Sequence, residues 1–220
     1  MSINHHLAAH RRRYSLSLAV AFAAGTGLVA VATTSASAAQ VIVPQGCGTY
    51  SNQPLPAGWT LEDHSNDAVA LGDIFNHVPH QVPAAFGVIF VGTQYPDYIQ
   101  GNAAPNGEVI CGLDGYDWIR GGSADDEIYG GAGADSLWGE QGADFLSGGP
   151  DVDVLFGDDT TDSHGGLDLA DTIQGGDHDD FLHGGAGGDT LKGGSGWDEA
   201  DGGSGADTCV GTEDPPPGAC

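Results

Sequence analysis

The sequence predicts an all-β fold assembled from nine-residue units. Three observations predict it: glycine recurs every nine residues, an aspartate follows each glycine by five, and an inward-facing candidate follows each aspartate by two. The glycines are Gly112, Gly121, Gly130, Gly139, Gly148, Gly157, Gly166, Gly175, Gly184, Gly193 and Gly202. The aspartates are Asp117, Asp126, Asp135, Asp144, Asp153, Asp162, Asp171, Asp180, Asp189, Asp198 and Asp207. Behind them come Ile119, Ile128, Leu137, Leu146, Leu155, His164, Ile173, Leu182, Leu191, Ala200 and Cys209, mostly aliphatic. Composition alone, with 38 glycines, would describe a low-complexity tail. A disordered tail has no reason to keep three residue types in phase across residues 112–210, so a folded repeat is expected.

Each unit divides into two parts. The first six residues form a tight turn, and glycine at positions one, two and four permits positive φ and close backbone approach. The last three form a short strand whose side chains alternate out, in, out, so that the eighth residue points inward. Gly130-Gly131-Ala132-Gly133-Ala134-Asp135-Ser136-Leu137-Trp138 is a full example.

These residues resemble the RTX, or haemolysin-type, calcium-binding repeat G-G-x-G-x-D-x-U-x, where U is a large aliphatic residue. The resemblance is strict over residues 112–210. A looser copy runs from Gly92 to Gln100 and carries Asp97. A broken copy follows from Gly101, in which Asn106 takes the aspartate's place and two extra residues intervene. The resemblance implies a parallel β-roll (right-handed β-helix) of eleven nine-residue repeats with a small N-terminal cap. Two repeats then make one turn, and residues eighteen apart stack. One sheet would bury Ile119, Leu137, Leu155, Ile173, Leu191 and Cys209; the other Ile128, Leu146, His164, Leu182 and Ala200.

In the family, calcium sits between stacked turns, shared by aspartates eighteen residues apart. The implied ligands are Asp117, Asp135, Asp153, Asp171, Asp189 and Asp207 in one row, and Asp126, Asp144, Asp162, Asp180 and Asp198 in the other. Calcium takes six to eight oxygen ligands and accepts glycine carbonyls alongside carboxylates, so the rows would hold several ions, at most about nine. Magnesium, with its strict octahedron and retained waters, fits less well. One aliphatic residue in nine makes a thin core, and folding is expected to depend on the ion. The copy at residues 157–165 departs from the pattern, with Thr160 at position four and His164 at position eight. It is expected to bulge or to lack a well-formed ion site. Tyr129, Trp138 and Phe156, at outward ninth positions, either cover the sheet or face solvent.

The remaining segments say less. His10 and Arg11–Arg13 precede an apolar stretch, and Ala36-Ser37-Ala38 supplies small residues for cleavage, so residues 1–38 read as a secretory signal peptide. Secretion to the extracellular space is the expected destination, with no membrane span after cleavage. All 31 acidic residues then remain, opposed by only Arg120 and Lys192. Such a surface repels nucleic acid and attracts cations. Four cysteines in an exported chain favour two disulfides. Three pairings are open, of which Cys47–Cys111 with Cys209–Cys220 is the expected set, and the tail at residues 211–220 would be folded back by the second bridge. Residues 39–91 read as an N-terminal cap, with a strand at residues 86–91 and a short helix or turn at residues 68–75, and residues 92–111 as degenerate repeats.

Catalytic signals are weak. Asp63-His64-Ser65 contains triad residue types, but contiguous residues do not converge as a triad must, and a polar turn is expected. His77 and His80 have a zinc-like i, i+3 spacing without a third ligand, and read as a surface or capping pair. The expected function is therefore extracellular calcium binding by a structural or calcium-sensing roll that is not an enzyme. Two alternatives come from other classes. One is a calcium-dependent adhesion protein that presents Trp118, Trp138 and Trp197 to a cell-wall or extracellular polymer. The other is an accessory module of a secreted enzyme.

Overall fold

A computed structural model describes residues 28–31, 47–48, 53–55, 59–65, 67, 71, 79–82, 87–102, 107–158 and 169–212. The nonapeptide rule dictates where strands begin. Position seven opens β7 (Trp118–Ser123), β8 (Glu127–Ala132), β9 (Ser136–Gln141), β10 (Phe145–Gly149) and β11 (Val154–Phe156). It also opens β12 (Thr172–Asp177), β13 (Phe181–Gly187), β14 (Thr190–Ser195), β15 (Glu199–Gly205) and β16 (Thr208–Val210). Ahead of them lie β1 (Leu28–Val31), β2 (Thr60–Asp63), β3 (His80–Gln81), β4 (Val88–Val91), β5 (Tyr98–Gln100) and β6 (Glu108–Asp114).

From β2 onward the strands alternate between two sheets, ordered β1-β2-β4-β6-β8-β10-β12-β14-β16 and β3-β5-β7-β9-β11-β13-β15. Every pairing is parallel except β1 with β2. This is the all-β parallel roll that the periodicity and the resemblance imply. Strand β1 falls inside the segment read as a signal peptide, and β2 to β4 fall inside the expected cap. The helix or turn expected at residues 68–75 lies outside the described residues apart from Leu71.

The core is a pair of facing ladders. In the first sheet Phe90, Ile110, Ile128, Leu146, Ile173, Leu191 and Cys209 stack in register. In the second, Ile99, Ile119, Leu137, Leu155, Leu182 and Ala200 do. All but Cys209 are buried and form one cluster. A smaller cluster of Cys47, Leu55, Leu61, Ile89, Val91, Val109 and Cys111 lies apart from the ladders. The Cys47–Cys111 disulfide, with Cα atoms 5.2 Å apart, is part of it. Cys209 is also disulfide-bonded; its expected partner Cys220 lies outside the described residues.

The ladders correct the expected stacking at one point. Phe145 pairs with Thr172 and Val154 with Phe181, steps of 27 residues in place of eighteen. Ile173 therefore stacks on Leu146 and Leu182 on Leu155, and beyond Phe156 the two sheets exchange the members assigned to them. The long step spans the irregular copy at residues 157–165, of which His164 and Asp162 lie outside the described residues.

Both expected uses of glycine, positive φ and close backbone approach, are present in the turns. Positions two and four take positive φ whether or not glycine occupies them: Gly131 and Gly133 do so at 113° and 123°, and Leu113 and Ala124 at 88° and 84°. Position one is glycine for want of space, as the site shows.

Candidate metal centre

The turns place the sixth-position aspartates in two columns, one along each edge of the roll. Each aspartate Oδ1 accepts a hydrogen bond from a backbone N–H one turn earlier. Along one column, Asp97 N–H donates to Asp117, Asp117 to Asp135, Asp135 to Asp153, Asp153 to Asp180 and Asp180 to Asp198, at 2.8–3.0 Å. Along the other, Glu108 donates to Asp126, Asp126 to Asp144, Asp144 to Asp171, Asp171 to Asp189 and Asp189 to Asp207, at 2.6–3.0 Å. Ten of the eleven expected ligands thus lie in two continuous rows, but with memberships exchanged after Asp144 and Asp153. Asp162 lies outside the described residues.

The second oxygen of each carboxylate is the informative one. Oδ2 of Asp117, Asp126, Asp135, Asp144, Asp153, Asp171, Asp180 and Asp189 is buried and accepts no hydrogen bond. A buried carboxylate oxygen without a partner is costly, and a native fold normally supplies one. These oxygens turn toward the first-position glycines. A β-carbon built on Gly121 would sit 2.5 Å from Asp126 Oδ2 and 2.7 Å from the Gly139 carbonyl oxygen of the next turn. Gly112, Gly130 and Gly139 face the same two kinds of oxygen. Position one is therefore a cradle in which carboxylate and carbonyl oxygens from successive turns approach one space.

Electrostatics agrees. Burial, reinforced by neighbouring carboxylates, pushes Asp117, Asp126 and Asp171 up to about 9 and Asp153 to about 8. Asp135 and Asp144 reach about 7 and Asp180 about 6, again with burial as the main cause. A bound cation reverses that preference and keeps such groups ionised. The donor set is all oxygen, crowded and anionic, which suits a hard cation.

Against this geometry, the family described as the RTX calcium-binding nonapeptide repeat matches residues 107–137, 129–163 and 174–209. The chain carries RTX calcium-binding repeats. The RTX matches leave out residues 164–173, the stretch where the 27-residue step interrupts the ladders. No curated protein matches the chain.

The irregular RTX copy now has a geometric description. A β-carbon on Gly157 would strike Asp171 Oδ2. The unit that begins at Gly157 is completed by Asp171, nine residues later than the repeat rule requires. Asp158, near its start, accepts from the Ala186 N–H through Oδ2 at 2.6 Å.

Two acidic residues at the N-terminal end were not among the expected ligands. Glu108 holds the sixth position ahead of Asp126, the place given to Asn106, which lies outside the described residues. Its Oε1 accepts from Asn102 at 2.6 Å while Oε2 is buried without a hydrogen bond. The two extra residues after Gly101 were the available signal, since they carry the sixth position from Asn106 to Glu108. Asp97 differs: its oxygens accept from the Leu71 and Thr93 N–H groups and from the Thr93 hydroxyl. Protein donors already satisfy it, so the series of orphaned oxygens in its row starts at Asp117.

The triad residue types do not converge. Ser65 N–H donates to Asp63 Oδ1 at 3.0 Å in a local turn, while the His64 ring nitrogens meet Glu62 and Asp67.

Proposed function

We propose that this chain is an extracellular structural module whose roll folds on calcium, with the sixth-position aspartates and first-position glycine carbonyls as ligands. The observation that carries it is the repeated orphaned Oδ2 beside a glycine carbonyl of the next turn. As the rows stack, four gaps separate the aspartates of each column. Calcium replaces protons on carboxyls that burial has made hard to ionise, and it cancels repulsion within an acid-rich chain. Residues 1–38 act as the export signal in this reading, and residues 39–91 close the N-terminal end of the roll. The reading assigns the chain no reaction.

Calcium titration calorimetry on the parent and on Asp135→Ala and Asp189→Ala tests the ligand assignment. Each substitution is expected to remove at least one ion. Undiminished stoichiometry in both variants would contradict it.

A second reading, adhesion to a cell-wall or extracellular polymer, is favoured by the outer face of the second sheet. There Tyr98, Trp118, Trp138 and Phe156 form a continuous ladder with centroids 5.7–6.0 Å apart, and Arg120 lies over Trp138. Calcium-dependent retention on cell-wall material that Trp118→Ala and Trp138→Ala abolish would support it; retention unchanged by both would reject it.

A further inference from the structure

The aliphatic ladders do not end in aliphatic residues. Glu62 pairs with Phe90 and His80 with Ile99, so a carboxylate and an imidazole occupy the next inward positions, one on each sheet. His64, just beyond β2, is fully buried beside them. Its ring lies 5.2 Å from Phe90 and 5.3 Å from His80, and His80 lies 5.3 Å from Phe90. Three ligand-type side chains thus close the N-terminal end of a hydrocarbon core, where burial penalises each of them.

We infer that Glu62, His64 and His80 form a site for one zinc-like divalent ion, separate from the calcium rows. Their donor atoms all lie within 4.8 Å of one another. The Glu62 Oε1 contacts are 3.0 Å to His64 Nε2 and 3.6 Å to His80 Nε2. Metal–ligand bonds of 2.0–2.1 Å in a tetrahedron set ligand atoms about 3.3 Å apart, between those two values.

The surrounding groups support the assignment. Asp67 Oδ2 accepts from His64 Nδ1 at 2.8 Å, which fixes the ring so that Nε2 faces the cluster. Such a carboxylate behind a ligating histidine is the common second partner of zinc-bound imidazole. Glu62 is 5% exposed, and its Oε2 accepts no hydrogen bond. The His80 side chain is 19% exposed, which gives an ion a route in and a fourth position for water. Two imidazole nitrogens and one carboxylate suit a borderline-soft ion; calcium prefers six to eight oxygens. Among the described residues the two rows offer carboxylate and carbonyl oxygens, so the two sites select different metals.

The test uses the full chain saturated with calcium, titrated with zinc chloride by calorimetry and with cobalt(II) by visible absorption. One zinc per chain is expected beyond the calcium, with a tetrahedral cobalt spectrum. His64→Gln and His80→Gln should abolish uptake, and Asp67→Asn should weaken it 10–100-fold. Absence of zinc uptake in the calcium-loaded parent would overturn the inference. So would uptake indifferent to His80→Gln when circular dichroism shows a parent-like fold. The cobalt spectrum of the parent is an independent arm, since a weak octahedral spectrum overturns the inference whether or not the variants fold.

Discussion

Removing residues 160–168 would convert the irregular unit into an ordinary one. The shortened chain reads Gly157-Asp158-Asp159-Leu169-Ala170-Asp171, with glycine at position one and aspartate at position six. In the present structure Gly157 already faces Asp171, and Thr172 and Phe181 already pair with Phe145 and Val154. The deletion therefore leaves both ladders and both aspartate columns untouched. Shortening the connection from fifteen residues to six recovers ~0.8 kcal/mol of loop-closure entropy. Against that, Asp158 and Leu169 would have to adopt the positive φ that positions two and four demand, at ~1–2 kcal/mol each. The net expectation is a loss of ~1–3 kcal/mol, small enough for the calcium-loaded roll to survive. Calorimetry should find the parent's number of calcium ions, and far-ultraviolet circular dichroism a cooperative melt at a modestly lower temperature. Loss of one or more ions, as a uniform eleven-repeat stack with Asp162 as a ligand would require, refutes the stacking reasoning.

Three further outcomes follow from the same geometry. Because burial raises Asp117, Asp126, Asp135, Asp144, Asp153, Asp171 and Asp180 to between about 6 and about 9, the metal-free roll binds more protons than the unfolded chain. Its stability is present below the ordinary carboxylate range and is lost as pH rises through that interval. Asp171 alone contributes ~4 kcal/mol of that loss by pH 7. Circular dichroism in chelator should show more β-structure at pH 4 than at pH 8, and calcium affinity should climb over the same interval. Gly131→Ala would drive a β-carbon against the Leu113 carbonyl at a φ of 113°; thermal melts in calcium should show more than ~1 kcal/mol of destabilisation. Ala124→Gly relieves a positive φ of 84° and should raise the melting temperature by the equivalent of ~0.5–1 kcal/mol.

Much of the fold was legible in the sequence because strand, turn and ligand each leave a mark in the repeat. Position seven opens every strand from β7 onward, and position eight is buried from Ile119 to Ala200 wherever a ladder strand exists. The exchanged rows escaped for an arithmetical reason. An interruption nine residues long preserves glycine and aspartate phase, so period counting cannot separate an inserted unit from a stacked one. Only chemistry marked it: His164 where an aliphatic belongs and Thr160 where a glycine belongs. Glu108 escaped because the preceding turn is two residues long of the rule. Glu62, His64 and His80 carry no periodic signal at all. They come together because β2 and β3 belong to opposite sheets, a relation visible only once the sheets are laid out.

The central claim is that a divalent ion supplies what so narrow a ladder of aliphatic side chains does not. Thermal melting of the full chain at neutral pH, after exhaustive dialysis against chelator and again after calcium is restored, tests it directly. The account predicts an expanded chain without a cooperative transition in chelator, and a cooperative β-sheet melt once calcium returns. A chelated sample that melts cooperatively at the calcium-loaded temperature would contradict it.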